Sequence, residues 1–274
     1  MITLKSRLAT LPYCQFRKNR YFYPMYDSFY LGAGLTALAV MTAAQWQFPL
    51  RAWSWSMLAW LPIACYAQIL CSVFVHVCTH KSLPPSVNRL VGELCGVVVL
   101  TRFASWEIIH QRHHQYTDDL ERDPHPVVAS YWRFLVQTVV NVEMQLQKIF
   151  FELHGGRTAQ NERYEKWRAR LSYATNIVIL LTWYRFLGPV AFVGLFVPAS
   201  LVGFLHLVHF NWSTHNAEAG ANFHPVNLNR GFYRAGNKLF FGIYMHGNHH
   251  RRPSVLNPAT IPEAQPAGEL AQAA

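Results

Sequence analysis

From Ala52 to His80 the chain carries no aspartate, glutamate, lysine or arginine. As a helix rising 1.5 Å per residue this run is roughly 43 Å long, against about 30 Å for a bilayer's hydrocarbon core. A membrane helix accommodates such a segment. Its last two turns then project into water, with His76 and His80 on one face. Ser28 to Phe48 is likewise free of charge, and Pro49 and Arg51 mark a short turn between the two runs. A third run begins near Leu171 and turns at Gly188-Pro189. A fourth continues through Phe192, Leu195 and Leu205 toward His215, and again overshoots the bilayer with histidines on the overhang. The expectation is an all-α fold with four transmembrane helices in two hairpins, at about 28–48, 53–76, 171–187 and 189–210, in a single domain spanning 1–274.

Composition agrees, with 51% hydrophobic, 15% aromatic and only 14% charged residues in 274. The formal charge of +10 suggests nucleic acid at first sight, but no basic stripe interleaves with stacking aromatics, so no nucleic-acid partner is expected. Topology accounts for the excess. Of the 24 lysines and arginines, only Arg51 and Arg185 fall in the two outer turns. The positive-inside rule therefore makes the N-terminal arm, the central segment and the C-terminal segment cytoplasmic, giving a multi-pass protein with cytoplasmic termini. Arg163, Lys166, Arg168 and Arg170 belong to this basic surface, where anionic lipid is the simpler partner and an acidic protein or acyl carrier the alternative. The five cysteines form no C-x-x-C pair, which argues against a disulfide framework or zinc knuckle. Residues 1–27 lack the short apolar core and cleavage site of a signal peptide, so the first span is expected in the mature protein.

Between the hairpins, Leu90 to Leu100 is apolar but too short to span and reads as an interfacial or re-entrant helix. Tyr131 to Leu153 mixes Arg133, Glu143, Lys148 and Glu152 with Trp132, Phe134, Phe150 and Phe151, as a helix along the membrane surface would; a soluble-type core helix is the other reading. These form an expected cytosolic helical cap with interfacial helices. His154-Gly155-Gly156 reads as a helix end.

Eight of the fourteen histidines fall in three clusters: His76 and His80; His110, His113 and His114; His246, His249 and His250. Any one histidine is more simply a satisfied polar residue, but the H-x-x-H-H spacing occurs twice, and imidazole is the commonest biological metal ligand. The topology puts all three clusters on one side of the membrane. Eight imidazoles exceed the three or four of a zinc site and suit two ions of higher coordination number. Val77 replaces the glutamate of an H-E-x-x-H motif. Glu107-Ile108-Ile109-His110 is a lone E-x-x-H, where carboxylate-bridged di-iron bundles use two.

The three boxes resemble those of the integral-membrane fatty-acid desaturase and hydroxylase superfamily. The segment Gln115-Tyr116-Thr117-Asp118-Asp119 through Asp123-Pro124-His125 is similar to the one that follows the second box in acyl desaturases. Asn211-Trp212-Ser213-Thr214-His215 resembles an N-x-x-x-H that supplies another histidine ligand and a water-holding asparagine. The likeness covers about Val75 to Pro253. The three-residue gap in the first box is that of acyl-lipid desaturases rather than the stearoyl-CoA branch, which leaves the acyl carrier open.

The resemblance implies iron ligation by His76, His80, His110, His113, His114, His215, His246, His249 and His250, with Asn211 a water-mediated partner. His206 and His209 compete with His215 for the ninth place. His125 and His224 read as outer or surface residues and His154 as surface. Asp118, Asp119 and Asp123 are candidates to accept ring N–H bonds from ligands, or alternatively to cap turns. The implied activity is O2-dependent desaturation of a fatty-acyl chain carried by CoA, acyl-carrier protein or lipid, using two iron ions (Fe2+) and an external electron donor of ferredoxin or cytochrome b5 type. A hydroxylase or other alkyl-oxidising enzyme of the superfamily is the near alternative. A metal transporter or haem electron carrier is the distant one, and the absence of ionisable residues near mid-span speaks against the transporter.

Overall fold

The computed structural model describes residues 12–215 and 224–262, and among them the secondary structure is helical, with one isolated bridge between Asn227 and Met245. In chain order the helices are α1 (Pro12–Lys18), α2 (Phe22–Ala43), α3 (Ser56–Cys78), α4 (Asn88–Val98), α5 (Phe103–Gln115), α6 (Tyr131–Leu153), α7 (Ala159–Ala191), a π-helical turn (Phe192–Phe196), α8 (Val197–His215), α9 (Gly231–Leu239) and α10 (His246–Arg251). The N-terminal arm before Pro12 lies outside the described residues.

By length and apolar composition, Ser56–Cys78 and the continuous stretch Ala159–His215 are able to cross a membrane. The latter would be roughly 85 Å long if straight. It is not straight. Gly188 adopts φ +71°, ψ +165°, which glycine reaches at little cost, and the following proline disfavours helical geometry in the residue before it. The reversal is visible in the contacts. Trp53 and Met57, at the start of α3, pack on Gly194 near the start of α8, whereas His76 and His215 lie at the far ends of the same two helices. Helix α2 packs along α7 and α3 along α8, so each helix of one hairpin lies against its counterpart in the other.

Several boundaries differ from those read in the sequence, each for a local reason. Helix α2 begins at Phe22, six residues before the uncharged run, because Tyr23, Tyr26 and Asp27 are buried against protein. It stops at Ala43, and Gln45 takes φ +49°. Helix α3 ends at Cys78, so His80 does not share its face with His76; it sits in the turn beyond, its N–H bonded to the Val77 carbonyl. Helix α7 begins at Ala159, well before Leu171, behind a Thr158 cap that accepts the Asn161 N–H at 3.2 Å. Helix α6 has the expected limits and closes through Gly155 and Gly156, both with positive φ; the Gly156 N–H bonds to the Phe151 carbonyl at 2.7 Å. Its Phe134, Leu146, Ile149 and Phe150 are buried, while Trp132, Val136, Val139 and Val140 are exposed. All five cysteines are free.

An aromatic core (Phe16, Tyr23, Tyr26, Ile108, Leu146, Phe150) joins α1, α2, α5 and α6. Beside it runs a buried charged network. Arg102 pairs with Asp27 at 3.1 Å, Ser172 bonds both, and Arg168 reaches Glu165 at 3.0 Å and Glu143 at 2.8 Å. Arg168 is thus turned inward and does not belong to the surface that Arg163, Lys166 and Arg170 share; this corrects the expectation for it. Removing one partner of a buried ion pair strands the others, at a cost of about 3–5 kcal/mol. Arg168→Ala should therefore lower the thermal unfolding midpoint markedly in detergent, whereas Arg163→Ala should leave it near wild type.

Candidate metal centre

The histidine clusters arrive on four separate elements: the end of α3 and its following turn, the C-terminal half of α5, the end of α8, and α10. Helix α5 needs no special device, since i, i+3 and i+4 put His110, His113 and His114 along one side. Helix α10 is only six residues long and is too short to hold itself. It is fixed from outside. Asn248 donates to the carbonyls of Pro258 and Ile261 at 3.1 Å, its N–H donates to Asn227, and the Leu228 N–H bonds to the Tyr244 carbonyl. The turn before it requires Gly242 at φ +69°, where an added Cβ would sit 2.4 Å from Asn257 Oδ1.

The ring nitrogens converge in two groups. His76, His80, His110 and His249 each offer one nitrogen within 4.8 Å of the others, and so do His113, His215, His246 and His250. In the first, His76 Nε2 lies 3.0 Å from His249 Nε2, and His110 Nε2 lies 2.9 Å from His80 Nε2. In the second, His246 Nε2 lies 3.1 Å from the Nε2 atoms of both His215 and His250. His114 stands between the groups. Its Nε2 is 3.2 Å from His110 Nε2 and 3.3 Å from His249 Nε2, while its ring stacks on His250 at 4.1 Å.

Hydrogen bonding alone does not satisfy this arrangement. A ring nitrogen has either one proton or one lone pair, yet the Nε2 atoms of His110, His246 and His249 each face two others. Nδ1 of His76, His110 and His246, and Nε2 of His113, are buried with no hydrogen-bond partner in the protein. Burial, reinforced by neighbouring imidazoles, holds these rings neutral. His80 is pushed down to about 3 and His114 to about 2, and His110, His113, His246 and His249 lie well below their usual value. Converging neutral nitrogens with unshared lone pairs form a donor set suited to cations, and each group can hold one.

Two carboxylates orient the rings from behind. Asp123 accepts from His113 Nδ1 at 2.9 Å and Asp118 from His215 Nδ1 at 3.0 Å, which leaves each Nε2 unprotonated and pointed inward. Burial pushes the Asp123 carboxyl up to about 8, opposed by the N–H groups of His125 and Asp118. Asp119 does not reach a histidine. It accepts the Glu121 and Arg122 N–H groups and pairs with the Arg122 side chain at the surface, the turn-capping alternative.

His206 and His209 stand apart from both groups, with nitrogens 3.3 Å and 3.5 Å from the Tyr244 hydroxyl. Glu107 packs by α1, where burial raises it to about 8 against a bond from the Tyr13 N–H, and it joins neither group. His154 packs on Phe16 and Phe150, and His224 is exposed. His125 is the surprise. It stacks on His113 at 3.9 Å, and its nitrogen converges with a nitrogen of His113 and a carboxylate oxygen of Asp123. Its Asp-Pro-His context was the available signal. Asn227 and Asn248, which anchor α10, gave none.

An apolar cavity of about 230 Å³ opens between α5, α6 and α8 beside the histidines. Its inner wall includes Trp106, His125 and Asn211. Trp106 stacks on His110 at 5.3 Å. Asn211 donates to the Leu207 carbonyl, and its Oδ1 is buried without a protein partner.

Residues 52–259 match the family model described as fatty acid desaturase. The chain belongs to the fatty acid desaturase family. Among curated relatives of this desaturase-family chain, the sn-1 oleoyl-lipid 12-desaturase of Picosynechococcus sp. is 33% identical over 98 residues, 27% of this chain and 28% of that protein. The protein of the same name from Anabaena variabilis is 29% identical over 132 residues, 46% of this chain and 35% of that protein. The chain thus spans about a third of the length of these relatives. No solved structure matches the desaturase-family chain.

Proposed function

We propose that the chain is a membrane-embedded, non-haem di-iron fatty-acyl desaturase acting on acyl chains carried by membrane lipid. The observation that carries this reading is the meeting of two four-histidine groups, from four separate elements, beside an alkyl-sized apolar cavity. The names of the two relatives and the three-residue gap of the first box support lipid as the carrier. Bound there, a pair of iron ions would supply the oxidising power, with O2 and two electrons from a ferredoxin or cytochrome b5-type donor, to remove two hydrogens from an alkyl chain.

The protein's own residues do the rest. His76, His80, His110 and His249 would hold one iron and His113, His215, His246 and His250 the other, with His114 between the two groups. Asp118 and Asp123 hold the second group's rings in the tautomer that offers Nε2. With a divalent cation held at the far nitrogen of His113, the Asp123 carboxylate would be favoured in its ionised form, countering the effect of burial. Asn211 lines the cavity with a buried, unpaired Oδ1 that would accept from a water held there. The cavity's apolar lining excludes bulk water and would align the chain past Trp106 and His125.

The two hairpins serve as four membrane spans, with α4 and α6 at the interface and the exposed apolar face of α6 toward lipid. The distribution of lysine and arginine supports a cytoplasmic side for the termini and the site. Mass spectrometry of lipids from cells expressing the protein tests the reaction. Products two hydrogens lighter are expected; addition of oxygen would instead make the chain a hydroxylase, and an unchanged lipid profile with a competent electron donor present would overturn both.

A further inference from the structure

A second, narrower cavity of about 40 Å³ continues the first. The two share Thr101, Trp106, Phe204 and Leu207, so one channel runs from the face of α6 past Trp106 and inward between α3 and α8. It ends on polar groups. Gln68 on α3, 4% exposed, donates through Nε2 to the Val98 carbonyl at 3.1 Å and to Ser200 Oγ at 3.0 Å. Ser72 donates to the Gln68 carbonyl, and Gly203 lets α8 approach so closely that an added Cβ would lie 3.0 Å from the Gln68 Cβ.

We propose that Gln68, braced by Val98 and Ser200, is the stop against which the distal end of the alkyl chain rests, and so sets how many carbons lie beyond the reacting pair. The proposal rests on the desaturase reading. Three features make Gln68 a stop and not merely a wall residue. It closes the end of the channel farthest from α6. It is cross-linked to α4 and α8, so it does not swing aside as a free side chain would. Its Nε2 already has two partners, so a methyl group meeting it gains nothing by displacing them. Gln68 precedes His76 by eight residues, or ~12 Å along α3, and this separation limits the tail.

The test feeds a graded series of saturated fatty acids to cells expressing the wild type, Gln68→Ala, Gln68→Met and Ser200→Leu, and reads the chain lengths of the unsaturated lipids by mass spectrometry, with iron content as a check of folding. Gln68→Ala deepens the channel and should raise the ratio of longer to shorter products about tenfold or more, the discrimination one methylene carries in an apolar pocket. Gln68→Met keeps the bulk without the bonds and should move the cut-off far less than Gln68→Ala, the remaining shift measuring what the bracing bonds add. Ser200→Leu should shorten it, and decides the matter alone if the alanine variant fails to load iron. Iron-loaded Gln68→Ala and Ser200→Leu with wild-type profiles would overturn the proposal, as would a Met variant shifted as far as the Ala variant. A wild type that makes no unsaturated product at any length instead fails the desaturase reading itself.

Discussion

Exchanging His249 for alanine is expected to reduce product formation by at least ~1000-fold and to lower bound iron, while leaving the helical content of the protein unchanged. His249 lies at the contact point of the first group, 3.0 Å from His76 and 3.3 Å from His114 at the ring nitrogens. Residues that act as one unit lose nearly all activity when one is removed. The variant leaves His76, His80 and His110 in place, so the three remaining nitrogens no longer surround the position. Metal analysis and circular dichroism on the purified variant separate loss of ligation from loss of fold. Full activity with intact iron would remove His249 from the ligand set.

The second large effect is predicted one layer out. Asp123→Asn should cost roughly 10–100-fold in metal affinity or activity, because a carboxylate behind a ligand fixes both the ring's tautomer and its direction. Asp118→Asn should act similarly through His215. Asp119→Asn is the internal control: it touches only the Arg122 turn at the surface, and activity should stay within twofold or so of wild type. Iron titration of the three variants checks the order. Equal losses in all three would mean that the segment matters as a loop and not through its two histidine contacts.

How much of this was legible beforehand depended on the range of the signal. Uncharged runs and the Gly188-Pro189 break are local, and the helix ends they mark lie within about six residues of those in the structure except at α7, which starts about twelve residues earlier. Helix starts were missed where polar residues belong to the helix but bury inside the protein, as with Asp27 in α2 and Glu165 and Arg168 in α7. Hydropathy counts such residues as boundaries, although Asp27 pairs with Arg102 and Arg168 with Glu143 across elements distant in sequence, and Glu165 pairs with Arg168 within α7. The same blindness put Arg168 on the surface.

At the site, spacing indicated which histidines belong together, and the resemblance added His215. What spacing could not supply was the partition into two groups, which cuts across the boxes. His110 falls in one group and His113 in the other although they share a helix, and His249 is separated from His246 and His250 in the same way. Neighbours on one helix face diverge by enough to serve different positions, and only the packing of α5 against α10 decides which. His80 was assigned to a helix face that ends two residues earlier, yet the turn brings its ring to His110 all the same.

These histidines are expected to hold two irons. Mössbauer spectroscopy of protein loaded with isotopically enriched iron, alongside metal quantification per chain, tests it most directly. The expected result is two irons per chain in nitrogen-rich, high-spin ferrous sites that change together on exposure to O2 and substrate. A single iron per chain in fully active protein, or full activity with another metal in its place, would contradict it.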